Sequence, residues 1–295
     1  MSNEKSTILV KTFFDPTTFT AQHVLVDCET KLAAIIDPVL DFDPVSGRTR
    51  TDHAEQILQY GKDQGLSFKW ILETHAHADH LSAANFLKQQ TGAKVAIGRG
   101  ITKVQAHFSP LFDFEPEFSI DGIQFDLLLD DGDQIELGSS LINTIATPGH
   151  TPACVTYQIA DALFIGDTLF MPDYGSARTD FPGGDAAQLY HSVQKLYAFP
   201  DKTKMFLCHD YKTSNRDEFV WETTVGDQKR QNIHLRADTS EQEFVRSRNE
   251  RDSGLNFPKL ILPSLQINLR GGVFPPPAAN GISYLKLPIN LFGKP

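Results

Sequence analysis

Apolar runs of strand length alternate with segments of helical spacing along most of the chain. Residues 6–14 (STILVKTFF), 21–28 (AQHVLVDC) and 31–37 (KLAAIID) are apolar runs with short turns between them. They predict three successive strands that open the protein as antiparallel β-structure. Residues 37–50 (DPVLDFDPVSGRTR) are rich in Asp, Pro and Gly and are expected to form a loop. Over residues 51–65, Ala54, Ile57 and Leu58 share one helical face before a terminal glycine. Residues 68–75 (FKWILETH) read as a buried strand, residues 78–92 as a helix carrying Leu81, Ala84 and Leu87, and residues 93–98 as a strand.

The later part repeats the theme. Strands are expected at 123–129, 141–147, 154–160, 162–167 and 204–210. Residues 185–199 predict a helix capped by Asp185, with Leu189, Val193, Leu196 and Tyr197 as its apolar stripe. SEQE at 240–243 has the form of a capping box. The apolar, Pro-rich stretch 260–290 is expected to lie extended on the body, with RGG at 270–272 marking a turn.

Composition narrows the class. The 295 residues are 40% hydrophobic and 22% charged, ordinary for a globular protein and ample for a large core. The formal net charge of −10 argues against a nucleic-acid partner. There is no apolar run long enough to span a membrane, and the N-terminus fits neither a secretory signal nor a transit peptide. Three scattered cysteines form neither a disulfide framework nor a CxxC pair, so a reducing, cytoplasmic setting is expected.

The chemistry gathers at predicted strand ends. THAHADH (74–80) follows one strand and TPGHT another, Asp167 ends a third, and His209 ends a fourth. Loops anchored on rigid strands can be both exposed and fixed. Imidazole and carboxylate suit divalent transition metals. His75 and His77 alternate on an extended segment and can chelate together, while Asp79 and His80 offer a second pair. His23, His53, His107, His191 and His234 lack this context and read as ordinary histidines. Cys208, next to His209, is expected to point away from the site.

THAHADH, TPGHT, GDTLF and CHDY, in this order, resemble the metallo-β-lactamase superfamily. The resemblance implies an α/β (αββα) sandwich with metals at one edge of its two sheets. It implies a possible first site of His75, His77 and His150 and a second of Asp79, His80 and His209, with Asp167 between. The segments IIDPVLDFDPVSGRT, ETHAHADHLSAANFLK, MPDYGSARTDFPGGD, ETTVGDQKRQNIHL and LPSLQINLRGG are similar to the persulfide dioxygenase family, in its long subgroup. That resemblance implies a catalytic core over 1–211 and a C-terminal extension over 212–295 packed on it. It implies oxidation of glutathione persulfide by O₂ and water to sulfite and glutathione, using one Fe(II) per chain. The iron ligands fall on His75, His150 and Asp167, the facial triad of non-haem Fe(II) chemistry. His77, Asp79, His80 and His209 then become hydrogen-bonding residues around the ligands or an empty second site, with Asp79 or His80 as proton carriers. Arg178, Tyr211 and Arg230 are the glutathione-binding candidates, Arg178 having the alternative of an ion pair to Asp180. A homodimer is also implied. The competing expectation is a glyoxalase II-like dinuclear hydrolase of glutathione thioesters, which would use all seven ligands.

Overall fold

The computed structural model describes residues 8–291, so the first two residues of the expected opening strand lie outside the described residues. Six strands form one sheet in the order β1 (Ile8–Asp15), β2 (Thr20–Asp27), β3 (Leu32–Ile36), β6 (Ser67–Glu73), β8 (Lys94–Gly98) and β9 (Leu127–Leu129). A second six-stranded sheet runs β10 (Gln134–Leu137), β11 (Ser140–Ala146), β12 (Val155–Ile159), β13 (Ala162–Phe164), β14 (Lys204–Phe206) and β15 (Glu222–Thr224). A small sheet joins β5 (Arg48–Arg50), β4 (Val39–Asp43) and β7 (Leu81–Ser82).

Strand periodicity builds the layers. Along the central strands successive side chains enter opposite cores, because strand side chains alternate faces. Leu25, Ala34, Ile36 and Leu72 of the first sheet meet Ile142, Tyr157, Phe164 and Phe206 of the second. Val24, Val26, Ile35 and Ile71 face outward, onto α1 (Asp52–Gln64), α2 (Ala84–Thr91) and α3 (Ile101–Leu111). Leu163 and Met205 face the other way, onto α4 (Ala186–Tyr197), α5 (Val225–Gln231) and α6 (Glu241–Asp252). The result is helices, sheet, sheet, helices. The helix α7 (Ile261–Asn268) adds Ile261, Leu265 and Ile267 to the outer core of the first sheet.

Capping chemistry sets several ends. Asp185 accepts from Gln188 N at the start of α4, and Ser240 accepts from Glu243 N at the start of α6. Gly65 closes α1 in the left-handed conformation.

Four expectations are corrected. Residues 37–50 are not all loop: β4 and β5 pair antiparallel there, turning where Asp43 accepts from Val45 N. Residues 78–92 are not one helix. Leu81 and Ser82 pair with β4 instead, and the helix begins only at Ala84. The strand expected at 123–129 is confined to Leu127–Leu129. The stretch 260–290 is helical over Ile261–Asn268, where Pro263 falls in the first turn and so interrupts no interior helix bond. Gly271 and Gly272, at φ +64° and +84°, make the turn that follows.

Among the described residues, no helix is long and apolar enough to cross a membrane.

Candidate metal centre

The ends of β3, β6, β11, β13 and β14 lead into one buried cluster. His75, His77, His80 and His209 are each 2% exposed or less, and Asp167 is 6% exposed. Among the described residues, four groups of side chains have ligand atoms within mutual reach, and two of them contain no cysteine. One comprises His75, His150 and Asp167, the other His77, Asp79, His80 and His209. By its ligand atoms His77 groups with Asp79, His80 and His209, while its ring lies 4.1 Å from that of His75 and 4.2 Å from that of His80.

Hydrogen bonds decide which ring nitrogens are free. Thr74 Oγ1 donates its single proton to Asp37 Oδ2 at 2.9 Å. Its contact with His75 Nδ1 at 3.1 Å therefore requires that nitrogen to donate, leaving the lone pair on Nε2. His150 Nδ1 donates to the carbonyl oxygen of Arg178 at 2.7 Å, with the same consequence. Both Nε2 atoms then face Asp167 Oδ2, at 3.9 Å and 3.8 Å. Two imidazole lone pairs and one carboxylate oxygen converge there, and burial raises the pKa of Asp167 above its usual value. A cation is what satisfies such a set, and two imidazoles with one carboxylate suit a first-row divalent metal.

The second group has free atoms too. His77 Nδ1, His80 Nε2 and His209 Nε2 are buried without hydrogen-bond partners, as is Asp167 Oδ1 of the first group. His209 Nδ1 donates to Phe19 O at 3.2 Å, so its Nε2 lone pair meets Asp79 Oδ2 at 3.1 Å. His77 differs from the others. Its Nε2 bonds Asp37 Oδ1 at 2.9 Å and lies 3.4 Å from Glu73 Oε2. Burial opposes charge on His77, but the two carboxylates outweigh it and raise its pKa well above the usual value. An imidazolium has no lone pair to give, so a cation at His77 Nδ1 must first displace a proton. Burial, with His77 and His150 nearby, pushes His75 well below its usual range and keeps it neutral, as a ligand must be.

Several of these partners were not evident in the sequence. Asp37, at φ +51°, turns sharply after β3 and accepts from Thr74 N at 2.7 Å as well as from His77. Glu73 holds Ser82 Oγ by a short hydrogen bond. The expectation for Cys208 is corrected: β14 ends at Phe206, and the Cys208 sulfur lies in reach of Asp37 and His77 and of Asp167 and His209. Burial raises its pKa well above the usual value, so it stays a thiol. His23 and His234, read as ordinary, have structural partners in Leu207 O and Ser176 N.

The sequence profile of the metallo-beta-lactamase superfamily matches residues 33–209. The chain belongs to the metallo-β-lactamase superfamily. It is 48% identical to a probable metallo-hydrolase of Burkholderia pseudomallei, over 95% of this chain and 99% of that one. It is 51% identical to a beta-lactamase hydrolase-like protein of Agrobacterium fabrum over 96% of this chain, spanning 65% of that protein's length. It is 32% identical to the mitochondrial persulfide dioxygenase ETHE1 of Homo sapiens, over 92% of this chain and 91% of that one. The crystal structure of ETHE1 from Myxococcus xanthus superposes with a TM-score of 0.72 at 28% identity, covering 90% of this chain and all of that one.

Within this superfamily fold, the three substrate candidates lie in different settings. Arg178 pairs bidentately with Asp180 at 2.5 Å and 2.6 Å, donates to Asn256 O at 2.6 Å, and lines a cavity of about 710 Å³ with Thr179, Asp252 and Phe257. Tyr211 stacks on His209 at a centroid distance of 5.5 Å and donates to Asp79 Oδ2 at 3.2 Å. Arg230 is exposed on α5, and its ion pairs are with Asp201 and Asp227.

Proposed function

We propose that the chain is a persulfide dioxygenase that converts glutathione persulfide, O₂ and water to glutathione and sulfite, with one Fe(II) held by His75, His150 and Asp167. The observation that carries this reading is the convergence of two Nε2 lone pairs and one carboxylate oxygen, with His77 tied to Asp37 and grouped elsewhere. Likeness to ETHE1 over nearly the whole chain supports the same choice. Fe(II) supplies the redox chemistry towards O₂ that zinc lacks.

The chain's own residues have separable tasks. Thr74 and the Arg178 carbonyl fix the tautomers of His75 and His150. The Arg178 guanidinium offers a bidentate partner for a glutathione carboxylate, which would exchange with Asp180 at the cavity wall. Tyr211 holds Asp79, which with His80 can pass protons released as the persulfide and water are consumed. Arg230 remains a glutathione-binding proposal that requires a partner other than Asp201 and Asp227.

A second reading, a dinuclear hydrolase of glutathione thioesters, is favoured by the second donor group and its orphaned atoms. Metal content of variants separates the two. Under the dioxygenase reading, His75→Ala or Asp167→Ala removes iron and activity together, while His209→Ala keeps most of the iron. If His209→Ala strips metal as fully as Asp167→Ala, the single-iron assignment is wrong.

A further inference from the structure

The ligand loop between β6 and α2 is held by a residue almost two hundred positions away. Asn268, at the end of α7, is 5% exposed. Its Nδ2 donates to His77 O and to His80 O, both at 2.8 Å. Its Oδ1 accepts from Ser82 N at 2.8 Å. The amide can sit only one way round, because two carbonyls demand donors and one N–H demands an acceptor. One side chain therefore ties both ends of the His77–His80 turn and holds Ser82, the second residue of β7. The turn after α7 presses on the same loop: a Cβ on Gly272 would come within 2.9 Å of Asn85 N and 3.1 Å of Ser82 O.

We propose that Asn268 is a positioning residue of the metal centre, setting through the backbone of residues 77–82 the direction in which His77, Asp79 and His80 present their side chains. The C-terminal segment is thereby part of the site rather than an appendage to it. This rests on the cluster holding a metal, and not on the reaction that the metal serves.

Asn268→Asp is nearly the same size but replaces both donors with an anion facing two carbonyl oxygens. Asn268→Ala removes all three bonds. The control is Gln266→Ala, on the same helix: the hydrogen bonds of Gln266 are to the backbone of Leu262 and Lys286, not to the loop. The assay follows transfer of iron from the loaded protein to a chelator, and the visible spectrum of the Co(II)-substituted protein, both well below the melting temperature. The two Asn268 variants are expected to release iron about 10- to 100-fold faster than wild type, because the turn that Asn268 ties begins two residues after the iron ligand His75. Their Co(II) spectra should shift, while Gln266→Ala matches wild type in both. Wild-type release and spectrum in Asn268→Asp would overturn the proposal. So would equal effects in Gln266→Ala, or failure of Asn268→Asp to fold, which would make the residue a support of the fold at large. A loss of persulfide activity alone has no bearing on it.

Discussion

Deleting one buried carboxylate, in Asp252→Ala, tests both the packing of α6 and the support of the metal centre. Asp252 and Arg248 are 4% and 3% exposed. Arg248 Nε and Nη2 donate to Asp252 Oδ1 at 3.0 Å and 2.5 Å, and Asp252 Oδ2 accepts from Thr179 N at 2.8 Å and Thr179 Oγ1 at 3.0 Å. Arg248 Nη1 also donates to Ser176 O at 3.0 Å. The pair thus clamps the strap that carries Arg178, whose carbonyl orients His150. Removing the carboxylate strands a buried guanidinium, which costs about 3–5 kcal/mol, and an N–H group, which costs about 1–3 kcal/mol. Asp252 lines the cavity beside Arg178, so water can enter the vacated space and the lower end of the range applies. The expected loss is about 4 kcal/mol. Replacing both partners by apolar residues, Arg248→Met with Asp252→Leu, leaves only the neutral Thr179 groups and the Ser176 carbonyl unpaired and should cost about 2–3 kcal/mol. Urea unfolding of metal-free protein at neutral pH measures both, with a constant m-value as the check on the comparison. A single variant within 1 kcal/mol of wild type, or a double variant less stable than the single, would refute the reasoning.

Other expectations are independent of that clamp. Burial pushes His23 down to about 4 against its hydrogen bond to Leu207 O, so its stabilising contribution is full above the ordinary value of 6.5 and is lost as pH falls from there towards 4. His23→Leu should flatten the acid side of the stability curve by on the order of 3 kcal/mol; an unchanged slope between pH 7 and 4.5 would contradict this. Arg178→Gln keeps the carbonyl that holds His150, so iron content should be unchanged while KM for glutathione persulfide rises roughly tenfold. Steady-state O₂ uptake and metal analysis read both, and loss of iron without a change in KM would argue against a substrate role. Phenylalanine at Tyr211 removes the hydrogen bond to Asp79 and retains the stack on His209. Activity should fall about tenfold or more, if proton transfer passes through Asp79, with iron retained.

The parts of the fold that were legible in the sequence are those fixed by local pattern. The alternation that sends Ile35 and Ile71 to one core and Ile36 and Leu72 to the other is written in adjacent residues. His75, His150 and Asp167 follow apolar runs directly, which is why a motif at each strand end announces them. Asp37 was harder to see, because its contact with His77 spans 40 positions. Asn268 was harder still: its bond to His77 O spans 191 positions, and the helix that carries it has a proline in its first turn. The β4–β5 hairpin hid behind its own turn residues, since Asp43 and Gly47 dominate so short a stretch. Periodicity misled at Leu81, which has helical spacing to Ala84 yet pairs with Leu40 in the small sheet.

The most direct test is iron content measured together with O₂ uptake on glutathione persulfide, using protein purified without added metal. The account predicts about one iron per chain, as a single facial triad requires, and O₂ consumption that depends on the persulfide and yields sulfite. Two metals per chain, no O₂ uptake and hydrolysis of a glutathione thioester would contradict it.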